Sequence, residues 1–455
     1  MTLDKARETA LKILYEINEQ SAYSNIALNR HLAAGGFSDT DRAFITEIVY
    51  GTVKWKLALD RVIAHYSSIR IKKLSPWIMN ILRMGVYQLL YMTRVPAPAA
   101  CNESVRLAGR YGHKASAGFV NAVLRNIARN GADAALPSKE EDFTEYLSVK
   151  YSYPRWLADM YIRLFGPEFA ESLLDAGNDT PEMTVRANTL RITASGLIEK
   201  LNEEGVEAVP GKYAAEAVII KSRVSVAGLK AFKEGLFQVQ DESSMLAARV
   251  LAPMPGETVL DACSAPGGKA THIAQLMKNK GIIIAGDIHR HKLRLVDEAA
   301  SRLGIDIIKT EIRDASVHDA RYEKAFDRVL LDAPCTGLGI TRRKPDIKWA
   351  KETEDIDSIS ALQKKMIRAV SESVKPGGVL VYSTCTVLPR ENEEIVLDFL
   401  ESNPDFTGDD IEPYLPAGIA IHAKGPMVQI YPNRDSIDGF FIARLRRTGT
   451  ASNAK

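Results

Sequence analysis

Residues 1 to about 130 carry apolar side chains at the spacing of an α-helix. Within several segments the apolar positions recur at i, i+3, i+4 and i+7, and glycine or proline interrupts the pattern between segments. This pattern predicts a compact helical bundle. The segments read ARETALKILYEI, DRAFITEIVYGTVKWKLALDRVIAHY, PWIMNILRMGVYQLLYM and SAGFVNAVLRNIAR.

A different pattern begins at Phe237, where short apolar runs alternate with helical segments until about residue 445. Such alternation is typical of a doubly wound sheet with helices on both faces. We therefore predict a multi-domain α and α/β protein. Its regions are a helical domain at 1–140, linker helices with a small α/β subdomain at 141–236, a larger α/β domain at 237–447 and a flexible tail at 448–455.

Charge is distributed unevenly along the chain. Residues 1–130 hold 18 Lys and Arg against 9 Asp and Glu, a net charge of +9, whereas the remainder has a net charge of −7. A basic module on a mildly acidic body indicates that the module meets a polyanion such as a nucleic acid. An ordinary solvated surface explains the same composition equally well, so both interpretations stay open here.

The composition also limits location and metal chemistry. Within the 455 residues, no apolar stretch reaches the roughly 18 residues that a membrane-spanning helix needs, and the charged N-terminus lacks a signal-peptide core. We expect a cytoplasmic protein that does not associate with membranes. The four cysteines at 101, 263, 335 and 385 form no CxxC pair, so we predict free thiols and no metal site.

A glycine-rich turn follows the apolar run VLD in VLDACSAPGGKATHIA. Gly267 and Gly268 let a backbone approach a ligand at a helix N-terminus, and Asp287, Asp314 and Asp332 each close a later predicted strand. A dinucleotide site would want GxGxxG, which the chain lacks. A ring of carboxylates instead favours S-adenosylmethionine, which carries a sulfonium and no phosphates. In the simpler alternative these acids only cap helices.

Motifs across residues 237–445 resemble those of the RNA 5-methylcytosine methyltransferases, and the helical bundle resembles the NusB-like RNA-binding fold. Together they resemble the bacterial enzymes that methylate cytosine C5 in small-subunit (16S) ribosomal RNA. This resemblance implies a Rossmann-like methyltransferase sheet, ribosomal RNA as the partner and a monomer. The matching motifs are FQVQDESSMLAARVL, DACSAPGGKATHIA, GDIHRHKL, RDA, LDAPCTGLGITRRKPDIKW and VYSTCTVLPRENEEIV.

The resemblance also implies roles for individual residues. Cys385 in the STC motif stands where the RNA family has its nucleophile, and Cys335 in the DAPC motif stands where the DNA enzymes have theirs. We therefore expect Cys385 to attack the base and Cys335 to assist product release. The residues implied as cofactor contacts are Cys263, Ser264, Ala265, Pro266, Gly267, Gly268, Lys269, Asp287, Asp314 and Asp332.

Some roles have competing interpretations. Lys269 could lower the pKa of a thiol or merely supply charge near a helix start, and Asp332 could bind the ring of the base. The basic segment TRRKPDIKW could grip RNA through Lys, Arg and Trp, or it could be a solvated loop. Other functions considered are methylation of another RNA such as tRNA, methylation of an exocyclic amine, which would want Asp-Pro-Pro-aromatic, and a non-catalytic RNA-binding assembly factor.

Overall fold

The structure of the protein is a computed structural model that describes residues 3–222 and 224–449. The chain divides into two compact units. One unit holds the residues up to Asp179 together with Thr341–Ala350, and the other holds Thr180–Ile340 and the residues from Lys351 onward. Among the described residues no helix is both long enough and apolar enough to cross a membrane, and no three His, Cys, Asp or Glu side chains form a group that could hold a metal ion.

The first unit consists of helices, as predicted. Helix α5 (Pro76–Tyr91) is buried on nearly every side from Ile78 to Gln88, which places it at the centre of the bundle. Ser75 caps its N-terminus by accepting a hydrogen bond from the Ile78 N–H, and proline follows at the first helical position. The helices are α1 (Lys5–Glu19), α2 (Ser24–Ala34), α3 (Asp39–Lys54), α4 (Lys56–Tyr66), α5 (Pro76–Tyr91), α6 (Ala97–Tyr111), α7 (Lys114–Asn130), α8 (Phe143–Tyr151), α9 (Arg155–Phe165) and α10 (Pro167–Ala176).

The second unit begins with a small antiparallel sheet whose strand order is β2-β3-β1-β4. Val185, Val218 and Phe237 on its strands pack against Leu197 and Leu201 of one helix. We predicted linker helices with a small α/β subdomain at 141–236. In the structure α8 to α10 group with the first unit and the strands group with the second. The elements are β1 (Met183–Ala187), α11 (Ala194–Glu203), β2 (Ala208–Pro210), β3 (Ala217–Ile220), α12 (Lys230–Lys233) and β4 (Phe237–Val239).

A larger mixed sheet forms the rest of the second unit, with strand order β10-β12-β9-β8-β5-β6-β7 and β11 paired to β12. The five strands from β9 to β7 run parallel, and β12 is antiparallel to β9. The strands are β5 (Thr258–Asp261), β6 (Ile282–Asp287), β7 (Ile308–Ile312), β8 (Phe326–Asp332), β9 (Val374–Thr384), β10 (Phe406–Gly408), β11 (Met427–Ile430) and β12 (Phe440–Arg447).

Helices cover both faces of this sheet, which confirms the predicted Rossmann-like arrangement. Leu330 packs on one face in a cluster with Ile273, and the next residue, Leu331, packs on the other face in a cluster with Ile367. Consecutive strand residues point to opposite faces, so continuous apolar runs such as VLL are buried on both sides. The helices are α13 (Glu242–Leu251), α14 (Gly268–Leu276), α15 (Arg290–Leu303), α16 (Ile347–Ala350, in the first unit), α17 (Thr353–Ser371), α18 (Glu393–Ser402), α19 (Ala417–Ala420) and α20 (Pro432–Asp435).

The segment Thr341–Ala350 contains a lysine that is fully buried in the first unit. The Lys348 Nζ donates to Asn178 Oδ1 at 2.6 Å and to the Ser152 carbonyl at 3.4 Å, and it lies 3.7 Å from the centroid of the Tyr153 ring. Burial lowers the pKa of Lys348 below its ordinary value. Lys348 therefore cannot grip RNA, and for this residue the RNA-grip interpretation of TRRKPDIKW is wrong. The indole N–H of Trp349 is also engaged, because it donates to the Val53 carbonyl at 2.7 Å.

We predict that Lys348→Ala destabilises the first unit by about 2–4 kcal/mol, because it removes charge-assisted hydrogen bonds and leaves a cavity. Denaturant unfolding followed by circular dichroism measures this change. Lys344→Ala, at an exposed position of the same segment, is the matched control and should change the free energy of unfolding by no more than about 0.5 kcal/mol. Equal stability of the two variants would contradict a structural role for the buried ammonium.

Candidate active site

The loop between β5 and α14 is held against the neighbouring strand β6. The Ser264 N–H and hydroxyl both donate to the Gly286 carbonyl, at 2.8 and 3.1 Å. Gly267 has φ +102°, and a Cβ there would lie 3.0 Å from the Cα of Val296, so only glycine fits. A Cβ on Gly268 would meet nothing nearer than Gln240 at 3.8 Å. The loop therefore leaves space for a ligand beside the start of α14.

Three predicted acidic residues lie at the carboxyl edge of the parallel strands. Asp287 ends β6, Asp332 ends β8 and Asp314 follows β7 by two residues. The Asp287 carboxylate accepts from the His289 N–H at 2.8 Å. The Asp314 carboxylate accepts from the Ser316 N–H at 2.8 Å, and hydrogen bonds from Ser316 hold the pKa of Asp314 below its ordinary value. A carboxylate oxygen can accept more than one hydrogen bond, so a ligand's hydroxyl or amine could also bind these residues.

Asp332 already has two protein partners. Its Oδ2 pairs with Lys269 Nζ at 2.7 Å, and its Oδ1 accepts from the Ser383 hydroxyl at 2.9 Å. The ammonium of Lys269 is also 5.1 Å from the centroid of the Phe440 ring. This ion pair joins the first turn of α14 to the end of β8. The predicted role of Asp332 toward the base and that of Lys269 toward a thiol stay predictions.

Asp261, at the end of β5, is a site residue that our sequence reasoning did not assign. It is fully buried, and among the described residues neither of its carboxylate oxygens has a hydrogen-bond partner. Burial, reinforced by the nearby Asp332 carboxylate, raises the pKa of Asp261 to about 7. A buried carboxylate without a donor is costly, so a ligand with a cationic donor would satisfy it. The signal that the sequence offered for Asp261 was an acidic residue at the end of the apolar run VLD.

The structure brings together Cys335 and Cys385, which are 50 residues apart in the sequence. Strands β8 and β9 pair in parallel with Asp332 opposite Ser383, so the loops that follow them leave the sheet side by side. The two sulfur atoms lie 3.3 Å apart, and both residues are partly buried. The hydrogen bond between the thiols and burial raise the pKa of Cys335 above its ordinary value. Cys335 therefore keeps its proton at neutral pH and can donate it toward the sulfur of Cys385.

Backbone contacts hold these two loops together. The Gly339 N–H donates to the Cys385 carbonyl at 3.0 Å, and the Gly439 N–H donates to the Gly339 carbonyl at 2.9 Å. A Cβ on Gly339 would lie 2.2 Å from the carbonyl oxygen of Gly439, so this close approach requires glycine. The loop after Cys335 thus rests directly on the backbone of Cys385.

The other two cysteines lack this kind of environment. Burial raises the pKa of Cys101 on α6, and burial together with the carboxylates at the strand ends raises the pKa of Cys263 beside Asp261. Both effects favour the thiol over the reactive thiolate. Neither of these cysteines has a second thiol as a hydrogen-bond partner of the kind that joins Cys335 to Cys385; among the described residues only that pair of cysteine sulfur atoms is in contact.

Three parts of the chain match known protein families. Residues 248–446 match the family described as 16S rRNA methyltransferase RsmB/F. Residues 4–129 match the NusB family, and residues 153–227 match the RsmF/B-like ferredoxin-like domain. The matches confirm the predicted NusB-like helical domain and methyltransferase domain.

Curated relatives match along most of their length. The probable ribosomal RNA small subunit methyltransferase B of Bacillus subtilis (strain 168) is 40% identical over 454 residues, covering 99% of this chain and 100% of the relative. Ribosomal RNA small subunit methyltransferase B of Pseudomonas putida is 34% identical over 411 residues, covering 90% of this chain and 91% of the relative. The chain is thus similar to these proteins over all its domains.

Solved structures show the same architecture. The crystal structure of PH0851 has a TM-score of 0.82 at 29% sequence identity and covers 98% of this chain and 100% of its own. The structure of NSun6 from Pyrococcus horikoshii with SFG, an analogue of S-adenosylmethionine, has a TM-score of 0.57 at 26% identity and covers 65% of this chain and 99% of its own.

We predict that the buried Asp261 makes stability depend on pH. Its folded-state pKa of about 7 lies above its ordinary value of 3.8, so the ligand-free protein loses stability as the pH rises toward 7. Relative to Asp261→Asn, wild type should lose roughly 2–3 kcal/mol between pH 5 and pH 8. Denaturant unfolding at several pH values gives this difference. A difference that does not change with pH, as expected for the exposed control Asp306→Asn, would show that the carboxyl group titrates normally.

Proposed function

The chain belongs to the RsmB/F family of 16S rRNA methyltransferases, and we propose that it methylates C5 of a cytosine in small-subunit ribosomal RNA through a covalent bond between Cys385 and C6. The observation that carries the proposal is the 3.3 Å separation of two thiols at the ends of adjacent parallel strands. Methylation of an amine nitrogen needs no thiol, whereas methylation of a ring carbon needs a nucleophile and then a base.

The pyrimidine C5 atom is a poor nucleophile because the ring is aromatic and electron-poor. Addition of the Cys385 thiolate to C6 breaks the aromaticity and makes C5 an enamine carbon that attacks an electrophilic methyl group. A base must then remove the proton from C5, after which the bond between C6 and sulfur breaks. We assign attack to Cys385 and removal of the C5 proton to Cys335. Cys335 acts as this base after its own thiol proton has passed to solvent.

The environment of Cys335 supports this order of events. Its pKa is raised first by the hydrogen bond with Cys385 and then by burial and by the charge on the Cys385 sulfur. Once Cys385 is bound to C6, its sulfur is a neutral thioether that carries no charge. Two of the causes that raise the pKa of Cys335 are then removed, so Cys335 becomes a better base in the covalent intermediate than in the free enzyme.

S-adenosylmethionine supplies the electrophilic methyl group as a sulfonium. The described residues fit this cofactor: the unsatisfied carboxylate of Asp261 calls for a cationic donor such as the amino acid ammonium, and Asp287 can accept from the ribose hydroxyls. The loop from Cys263 to Lys269 would lie along the cofactor, and Asp314 would accept from the adenine amino group. The NSun6 structure with SFG supports the same type of cofactor.

Ribosomal RNA is the proposed partner, bound by a monomer in the cytoplasm. The target base has to leave any stack to reach the two thiols. The exposed basic side chains of the first unit, among them Lys72, Lys73, Arg110 and Lys114, can contact RNA phosphates. Lys344 is the exposed lysine of the segment Thr341–Ala350.

We predict opposite outcomes for the two cysteines. Cys335→Ala should still attack C6 but resolve the adduct slowly, so a protein–RNA complex accumulates and survives denaturing electrophoresis. Cys385→Ala, and the double variant, should give neither adduct nor methylation, because attack precedes release. The measurement uses labelled RNA on a denaturing gel together with methyl transfer from tritiated S-adenosylmethionine.

Two results would contradict these assignments. An adduct with Cys385→Ala but not with Cys335→Ala would mean that Cys335 is the nucleophile. Methylation by Cys385→Ala at the wild-type rate would show that no covalent step through this residue is needed.

We predict that Asp287→Ala weakens S-adenosylmethionine binding by roughly 10- to 150-fold, because each hydrogen bond to a charged group contributes about 1.5–3 kcal/mol. Calorimetry measures the dissociation constant, and Asp306→Ala, at an exposed position outside the site, serves as the control. If the two variants bind the cofactor equally well, Asp287 only caps the turn to His289.

A further inference from the structure

Glu391 lies in the turn between β9 and α18 and is fully buried. Its Oε2 accepts from the Thr336 N–H at 2.8 Å and from Gln363 Nε2 at 3.2 Å. Its Oε1 accepts from the hydroxyl of Thr336 at 2.5 Å and from the hydroxyl of Thr386 at 3.2 Å. One carboxylate thus has four donors. Glu391 lies six residues after Cys385 in the same connection between β9 and α18.

Two of these donors belong to the residues that directly follow the cysteines. Thr336 follows Cys335 after β8, and Thr386 follows Cys385 after β9. The two threonine hydroxyls are also 3.0 Å from each other. Gln363 donates in addition to the Pro334 carbonyl at 2.9 Å, so the residue before Cys335 is held by the same network. Both cysteine loops therefore converge on Glu391.

We propose that Glu391 is a positioning residue that sets the distance between the two sulfurs. The expected effect of Glu391 on methylation rests on the proposed function, whereas its effect on the distance between the two sulfurs does not. Burial raises the pKa of Glu391. A buried carboxyl group is retained at a cost, and its four hydrogen bonds to neutral donors offset that cost only while both loops stay in place.

The hydrogen-bonding capacity of the four partners predicts which substitution of Glu391 preserves the arrangement. The two groups at Oε2 are N–H donors that can only donate, whereas both groups at Oε1 are hydroxyls, which can donate or accept. In Glu391→Gln the side-chain carbonyl can therefore take the place of Oε2, and the amide NH₂ can take that of Oε1 while the hydroxyls rotate to accept. Glutamine keeps the geometry and removes the charge, whereas alanine removes both.

A probe of thiol spacing tests the geometric claim without any methylation chemistry. Phenylarsine oxide forms two As–S bonds with a pair of neighbouring thiols and releases one water. We expect the full-length protein to bind one equivalent, located by mass spectrometry of peptides at Cys335 and Cys385. Glu391→Ala should weaken this binding by about tenfold or more, and Glu391→Gln by no more than about threefold, because arsenic bridges only thiols that are already held close together.

Methylation assays give the second readout. Glu391→Ala should lower kcat by about 100-fold, as expected for a reacting group displaced by roughly 1 Å, with KM for RNA and the affinity for S-adenosylmethionine within a few fold of wild type. Glu391→Gln should restore most of the rate. Thr386→Val removes one of the four donors to Glu391 and the contact between the two threonine hydroxyls. It should have an intermediate effect and serves as the second variant if Glu391→Ala fails to fold. Glu394→Ala, at an exposed position of α18 three residues after Glu391, is the matched control.

The outcomes separate the two hypotheses. Wild-type arsenic binding by both Glu391→Ala and Thr386→Val would overturn the positioning role, whatever the fate of methylation. Loss of activity in Glu391→Gln equal to that in Glu391→Ala would also overturn it, because charge rather than geometry would then be required. Failure of wild type to bind the arsenical would contradict the close pairing of the thiols. Methylation by Cys385→Ala would instead defeat the proposed covalent mechanism and leave the arsenic test of spacing intact.

Discussion

The parallel pairing of β8 with β9 is the constraint on which the whole site depends. Because Asp332 lies opposite Ser383, the two strands end at the same edge of the sheet and their loops leave it together. The same register lets Ser383 donate to Asp332, which in turn pairs with Lys269 at the start of α14. The pairing of these two strands thus brings the two thiols and the residues of the proposed cofactor site to one edge of the sheet.

Ionisable groups at this edge are buried in two different ways. Glu391 is surrounded by protein donors, and its hydrogen bonds hold the loops after Cys335 and Cys385. Asp261 has no such donors among the described residues, and burial raises its pKa to about 7. A satisfied buried carboxylate stabilises a local structure, whereas an unsatisfied one is a candidate for contact with a ligand. Glu391 therefore belongs to the structure that supports the two cysteine loops, and Asp261 belongs to the proposed cofactor site.

The positive charge of the first unit is only partly available to a polyanion. Arg83 makes a two-point contact with Asp60, at 2.6 and 2.8 Å, and Arg7 pairs with Asp4 and Gln88. Lys348 is buried completely. The two ion pairs cancel within the net charge of +9 for residues 1–130, so other basic side chains carry the excess charge. Exposed examples that can meet RNA phosphates are Lys72, Lys73 and Lys114.

Sequence periodicity alone determined the helical bundle and the alternation of strands and helices, because both follow from the spacing of apolar residues along a short segment. Local sequence motifs also identified the glycine-rich loop, the acidic residues at the strand ends, and Cys335 and Cys385. What only the tertiary structure decided are contacts between distant segments: the burial of Lys348, the unsatisfied carboxylate of Asp261, and the convergence of Thr336 and Thr386 on Glu391. The spacing of residues along one segment carries no information on which other segment will pack beside it. The hydrogen-bond partners and the burial of these side chains are therefore defined only when the sheet assembles.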